Sequence, residues 1–238
     1  NVYYFNYDYT EPTDKHPFAV HSTVAPSPWN KKIHLMKIGI KGKETFNEKN
    51  KALPPSNLVF LIDVSGSMSS ANKLPLLKQS FSELVDQLRQ DDKVSIVVYA
   101  GAAGLVLPPT SGADKQKIKD ALNKLSAGGS TAGGAGIKLA YNTAKDNLVK
   151  GGNNRVILAT DGDFNIGISN LKDLEKLITE KRSTGIYLTT IGLCMGNYKD
   201  DRMEMLADKG NGNYFYIDNI NEAKKVFVEE FTGTIYTI

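Results

Sequence analysis

From Leu58 to Val64 the chain reads Leu-Val-Phe-Leu-Ile-Asp-Val, an almost unbroken apolar run of strand length. A strand with one wet face alternates polar and apolar residues, whereas a strand apolar at nearly every position is covered on both faces. Helices packed on both sides of a parallel sheet supply that cover. The region that follows repeats the same grammar. Leu74, Leu77, Phe81, Leu84 and Leu88 recur at helical spacing, with Pro75 near the helix start, where proline is tolerated. Val94–Tyr99, Arg155–Thr160, Ile186–Leu193 and Tyr214–Ile217 read as further strands, with a short one at Leu105–Leu107. Helices are expected over Asp114–Leu125, Ala135–Leu148, Leu171–Arg182, Asp200–Lys209 and Asn221–Phe231, and Thr234–Ile238 is again strand-like. Strands alternating with helices predict an α/β fold with a doubly wound, mainly parallel, Rossmann-like sheet over 57–238.

The first ~50 residues follow another pattern. Tyr3, Tyr4, Phe5, Tyr7 and Tyr9 crowd the start, and their expected role is core packing, as for Trp29. Two strand-like runs, Phe18–Val24 and Ile33–Ile40, flank a turn containing Pro26, Pro28, Trp29 and Asn30. Met36, Ile38 and Ile40 alternate with Lys37, Gly39 and Lys41, the period of a half-buried strand. Residues 1–50 are therefore expected to form a small β extension, joined to the larger domain by a polar linker over Lys41–Ser56.

Composition narrows the function classes. With 29 Lys and Arg against 26 Asp and Glu among 238 residues, the formal net charge is +3, and no basic block marks a nucleic-acid or anionic-membrane surface. The single cysteine, Cys194, sits in an apolar run and reads as a buried thiol; it can form neither an intrachain disulfide nor a Cys-based metal site. No stretch approaches the ~20 apolar residues that span a bilayer.

The richest chemistry lies where the first strand of the α/β region ends, in Asp63-Val64-Ser65-Gly66-Ser67. The strand delivers Asp63 to the carboxyl edge of the sheet. Gly66 is expected to permit the sharp turn that follows. Ser65 and Ser67 add two hydroxyls beside the carboxylate, an all-oxygen set that suits Mg²⁺ first, then Mn²⁺ or Ca²⁺, rather than zinc or copper. Thr160-Asp161-Gly162 closes another strand and brings a second carboxylate. Gly128-Gly129-Ser130-Thr131 precedes a helix and brings a further hydroxyl. In a doubly wound sheet the strands that end in Asp63 and Asp161 flank the crevice where such folds bind ligands.

Asp-x-Ser-x-Ser after an apolar strand, a Gly-Gly-Ser-Thr loop and a Thr-Asp-Gly strand end together resemble the metal-ion-dependent adhesion site of von Willebrand factor A domains. The stretches LPPSNLVFLIDVSGSM, YAGAAGLVLPPTSG, AGGSTAGGAGI and GGNNRVILATDGDFNIG are similar to bacterial members often labelled calcium-activated chloride channel-like. YFNYDYTEPT and HPFAVHSTVAPSPWN resemble the extension that precedes the A domain in that group. The resemblance implies one divalent cation bound directly by Ser65, Ser67 and, in one conformational state, Thr131, with Asp63 and Asp161 acting mainly through water. It implies a protein ligand that supplies a carboxylate to the metal, and a bacterial cell-envelope location, periplasmic or surface. The channel label does not transfer to a chain without a spanning segment.

Other readings compete with this one. Asp63, Ser65 and Ser67 alone also fit a helix cap, Thr131 a cap and Asp161 a turn; the five together favour a metal. Asp163 reads as a solvated rim carboxylate. The glycines from Gly128 to Gly136 invite a phosphate loop, but Ile137-Lys138-Leu139 follows them where Lys-Ser/Thr is needed. His16, His21 and His34 all lie in the extension, so no Ser-His-Asp triad can be built within the A domain. The expected function is divalent-metal-dependent protein binding without catalysis. A metal-dependent hydrolase of phosphoester type and an assembly module with a vestigial site are the alternatives.

Overall fold

The computed structural model describes residues 7–42, 54–129, 133–162, 171–193 and 200–230. The chain forms two compact units, Asn1–Ala52 and Leu53–Ile238.

In the first unit, β1 (Phe18–Pro26) and β2 (His34–Gly42) form an antiparallel hairpin, with Val20 opposite Ile40 and Val24 opposite Met36. Each strand runs two residues past its expected end, because the ladder continues until Ser27 N–H donates to the Ile33 carbonyl at one end and Gly42 faces Phe18 at the other. The two faces of the hairpin differ. On one, Tyr9 stacks on His21 at 4.8 Å between ring centroids and lies where a side chain on Gly39 would stand. Tyr7 stacks on Tyr9 at 5.3 Å, and the Lys37 ammonium sits 4.6 Å from the Tyr7 ring centre. Tyr9 is half-buried in this stack but Tyr7 is exposed, so the two stack on the hairpin surface rather than in the core expected for them; Tyr3, Tyr4 and Phe5 lie outside the described residues. On the other face Phe18, Val20, Val24, Met36, Ile38 and Ile40 are all more than half exposed. The alternation separates the faces correctly, but the expected half-burial of Met36, Ile38 and Ile40 does not occur. A two-stranded ladder is a single layer, and burying its apolar face takes a second layer. Trp29, expected in a core, is 75% exposed in the connecting turn.

The second unit contains β3 (Ser56–Asp63), α1 (Leu74–Gln87), β4 (Lys93–Tyr99), β5 (Ala103–Ser111), α2 (Lys115–Asn123), α3 (Gly133–Asp146), β6 (Asn153–Thr160), α4 (Leu171–Ser183), β7 (Ile186–Leu193), α5 (Asp200–Lys209), β8 (Tyr214–Ile217) and α6 (Ile220–Lys224). The sheet order is β5-β4-β3-β6-β7-β8, and every pair is parallel except β4 with β5. This is the doubly wound sheet expected.

All eight residues of β3 are buried. Leu58, Phe60 and Ile62 point to a core shared with α1, α2 and α6. Val59 and Leu61 point to a second core shared with α3, α4 and α5. Two cores on opposite faces are the physical reason that the strand is apolar at successive positions. Phe60 stacks on Phe81 of α1 at 4.3 Å, and Phe81 meets Phe227 edge-on at 5.7 Å.

Two elements differ from expectation. The strand expected at 105–107 extends over Ala103–Ser111 and contains Pro108 and Pro109. Proline cannot donate to a ladder, and β5 accommodates two because it is an edge strand whose pairing with β4 shifts register near Ile96. The last helix is not one α-helical run over 221–231: α6 is followed by a π-helical stretch, Lys225–Glu230, that carries Val226 and Phe227 into the core. Cys194 and the strand-like 234–238 lie outside the described residues.

Candidate metal centre

The strand order turns at β3. The β3–α1–β4 crossover extends the sheet to one side, and β6 begins the other side. β3 and β6 are parallel neighbours, with Ile62 opposite Ala159, so Asp63 and Asp161 leave the sheet at the same carboxyl edge. That is the switch point at which open α/β sheets bind ligands.

Asp63 is fully buried. Its Oδ1 accepts the Ser65 N–H at 2.9 Å. Its Oδ2 accepts the Tyr99 hydroxyl and the Thr160 hydroxyl, each at 3.1 Å. The Thr160 hydroxyl in turn accepts the Gly162 N–H at 3.3 Å. Three donors fill most of the roughly four acceptor sites of a carboxylate. The Ser65 and Ser67 hydroxyls lie 3.0 Å apart. Ser65 is buried and Ser67 exposed, so the pair runs from the interior to the surface. Ser65 precedes a short 3-10 turn, Gly66–Ser69, but its side chain makes no capping hydrogen bond. The Ser65 hydroxyl pairs with that of Ser67 and does not cap the turn, while Asp63 accepts the Ser65 N–H ahead of it.

The loop before α3 is pinned to this turn. Gly128 N–H donates to the Val64 carbonyl at 2.7 Å, and Gly66 N–H donates to the Gly129 carbonyl at 3.2 Å. Gly129 and Gly162 have φ of +84° and +93°, where only glycine is relaxed. Gly66 does not: its φ is not positive, and the nearest atom to an added Cβ would be 3.7 Å away. The sharp turn that Gly66 is expected to permit is made by ordinary backbone angles, and the positive-φ glycines sit in the two neighbouring loops. Thr131 and Asp163 lie outside the described residues.

Lys73, immediately before α1, completes the site. Its Nζ donates to Asp161 Oδ2 at 2.8 Å and to the Ser67 carbonyl at 3.0 Å. The sequence directs attention to neither Tyr99 nor Lys73, and to Thr160 only as the residue that precedes Asp161. Tyr99 and Thr160 reach Asp63 through strand register, since Tyr99 is its direct partner on β4. Thr160 is the one with a readable sign, being the residue before Asp161 at a strand end.

The electrostatics separate two buried acids. Burial pushes the Asp63 carboxyl above its ordinary value of 3.8; the Ser65 hydrogen bonds oppose this, and the nearby Asp161 charge adds to it. Burial and the Asp63 charge push the Tyr99 hydroxyl well above its ordinary 10, so it remains a donor. At the opposite end of the sheet, burial also acts upward on Asp92, but hydrogen bonds from Arg89 and the Ser56 N–H outweigh it and hold that carboxyl below 3.8. Asp92 is a satisfied structural acid. Asp63 keeps an incompletely compensated charge, the pattern that marks functional sites. Among the described residues no three or more His, Cys, Asp or Glu cluster as a metal site. The donor set is two carboxylates and paired hydroxyls, an all-oxygen combination suited to a hard cation.

A mainly parallel sheet wound both ways from β3, with helices on both faces, defines a Rossmann-like α/β domain. The family model for the von Willebrand factor type A domain matches residues 57–229, and the chain belongs to that family. A second model, described as von Willebrand factor, matches residues 1–37. The chain is similar to Escherichia coli (strain K12) YfbK, at 46% identity over 222 residues. That match covers 93% of this chain and 38% of YfbK, so the chain spans well under half of that relative. Among solved structures it is similar to an aerotolerance-related membrane protein from Bacteroides fragilis, with a TM-score of 0.61 and 25% identity, covering 75% of this chain and 100% of that one. It also matches proximal thread matrix protein 1 from the mussel byssus, solved with a zinc-occupied MIDAS motif, with a TM-score of 0.58 and 22% identity, covering 74% of this chain and 45% of that one. Among the described residues no helix is long and apolar enough to cross a membrane.

Proposed function

We propose that the carboxyl edge of β3 and β6 holds one divalent cation, Mg²⁺ first with Mn²⁺ or Ca²⁺ next, and through it binds a protein ligand that supplies a carboxylate. The hydroxyls of Ser65 and Ser67 coordinate directly. Asp63 and Asp161 act mainly through water, and Thr131 is the further hydroxyl that the family resemblance assigns. The observation that carries the reading is the Ser65–Ser67 hydroxyl pair, 3.0 Å apart beside a buried Asp63 whose oxygens are already engaged by three protein donors. With most of its acceptor capacity taken, Asp63 contributes charge and orientation, and the hydroxyls are left as ligands.

What the cation supplies when bound is positive charge and an open coordination position for a carboxylate. The chain's own residues do the rest. Tyr99 and Thr160 fix the Asp63 carboxylate, and Asp63 holds the Ser65 backbone in the turn that presents both hydroxyls. Gly128 and Gly66 tie the loop leading to Thr131 onto that turn. The lack of a histidine in Leu53–Ile238 supports binding over turnover. The likeness to a membrane protein of Bacteroides fragilis supports a bacterial cell-envelope location.

Thermal unfolding with and without chelator tests the metal. A cation at 100 times its dissociation constant stabilises by about 2.7 kcal/mol. Mg²⁺ or Mn²⁺ is expected to raise Tm for the wild type and not for Asp63→Ala. No shift with any divalent ion removes the reading. Phosphoester turnover that disappears in Asp63→Ala replaces it with the hydrolase.

A further inference from the structure

The Lys73 ammonium lies between the two segments that frame the site. It donates to Asp161 Oδ2 at 2.8 Å and to the Ser67 carbonyl at 3.0 Å. The pair is sheltered, with the Lys73 side chain 16% exposed and that of Asp161 4% exposed. An exposed lysine pair contributes little, but a sheltered charge acts at short range through a medium less polarisable than water. A cation binding beside Asp161 meets this ammonium.

We propose that Lys73 is a built-in counter-charge that sets what the site binds: it opposes entry of the metal and, once the metal is in, leaves an excess positive charge that draws a carboxylate. The inference rests on the reading of Asp63, Ser65, Ser67 and Asp161 as a divalent-cation site. Formal charge gives the argument. Asp63 and Asp161 carry two negative charges and Lys73 one positive charge, so the site without metal is negative by one. A divalent cation makes it positive by one. Without Lys73 the same site goes from negative by two to neutral. Removing the ammonium therefore favours the cation and disfavours the carboxylate that follows it. A lysine that merely anchored Asp161 and Ser67 would act the other way, because its loss would loosen the site and weaken metal binding. The sign of the change separates the two roles.

The experiment measures Mn²⁺ affinity by electron paramagnetic resonance in the full chain, for the wild type, Lys73→Met and Lys73→Arg. The relaxation of acetate methyl protons by bound Mn²⁺ then reports carboxylate affinity for the loaded site. Lys73→Met is expected to bind Mn²⁺ about tenfold more tightly and acetate more weakly, while Lys73→Arg keeps the wild-type values. Equal or weaker Mn²⁺ binding by Lys73→Met, equal or stronger acetate binding, or tightening in Lys73→Arg overturns the proposal. If Lys73→Met does not fold, Lys73→Gln carries the same expectations. A wild type that binds no Mn²⁺ removes the metal reading together with this one, whereas a wild type that binds Mn²⁺ beside an unchanged Lys73→Met removes this one alone.

Discussion

Asp63 is a carboxylate with no exposed surface, and the three donors around it do not fully offset its burial. Replacing it with Asn removes the charge and keeps an acceptor for the Ser65 N–H. Asp63→Asn is expected to stabilise the metal-free protein at neutral pH by about 1 kcal/mol, a gain typical of removing a functional group's strain, and to lose the response to Mg²⁺. Chemical denaturation in chelator checks it. The pH dependence has a definite sign. The native carboxyl binds its proton at a higher pH than the unfolded chain does, so Asp63's contribution is complete below 3.8 and is lost as pH rises through the native value. In Asp63→Asn that dependence is expected to flatten. The same residue shows what the sequence discloses. Asp63, Ser65 and Ser67 are adjacent in the chain, so their pattern is visible in one line of text. Tyr99, Thr160 and Lys73 are 36, 97 and 10 residues from Asp63, and the first two become its neighbours only through register.

The strands and helices of the larger unit are legible because their cores impose strict spacing: period 3.6 on α1, and continuous apolarity on a strand covered from both sides. Legibility fails at margins. β5 runs through two prolines because an edge tolerates them, and the hairpin face of Val20 and Ile38 is exposed because alternation reports two faces without reporting what covers them. A close approach is equally invisible. Gly136 on α3 lies where an added Cβ would stand 2.8 Å from the Tyr99 Cβ, so this helix packs on β4 through the absence of a side chain. Gly136→Ala is expected to cost about 1–3 kcal/mol, the range for overpacking, and to weaken Mg²⁺ binding, since Tyr99 holds Asp63. A paired measurement of Tm and metal affinity checks both effects. A fall in Tm with unchanged affinity contradicts the link from α3 to the site.

The whole chain divides into two units of different character. Leu53–Ile238 has a sheet with a core on each face, while the described part of Asn1–Ala52 is a single layer. Residues 53–238 alone are therefore expected to unfold cooperatively and to bind Mg²⁺ with the affinity of the full chain; circular dichroism and calorimetry on that fragment test it, and a fragment that fails to fold contradicts it. Among the described residues the sheet of this unit ends in β5, with Pro108 and Pro109, and in β8, only four residues long. A long bare margin would be a template on which a stranger's strand could zip. Here one margin is interrupted by two prolines that cannot donate and the other lacks the length. Crowded copies of the domain are therefore poorly equipped to polymerise through these two margins, and each is expected to keep the site proposed at its own carboxyl edge separate.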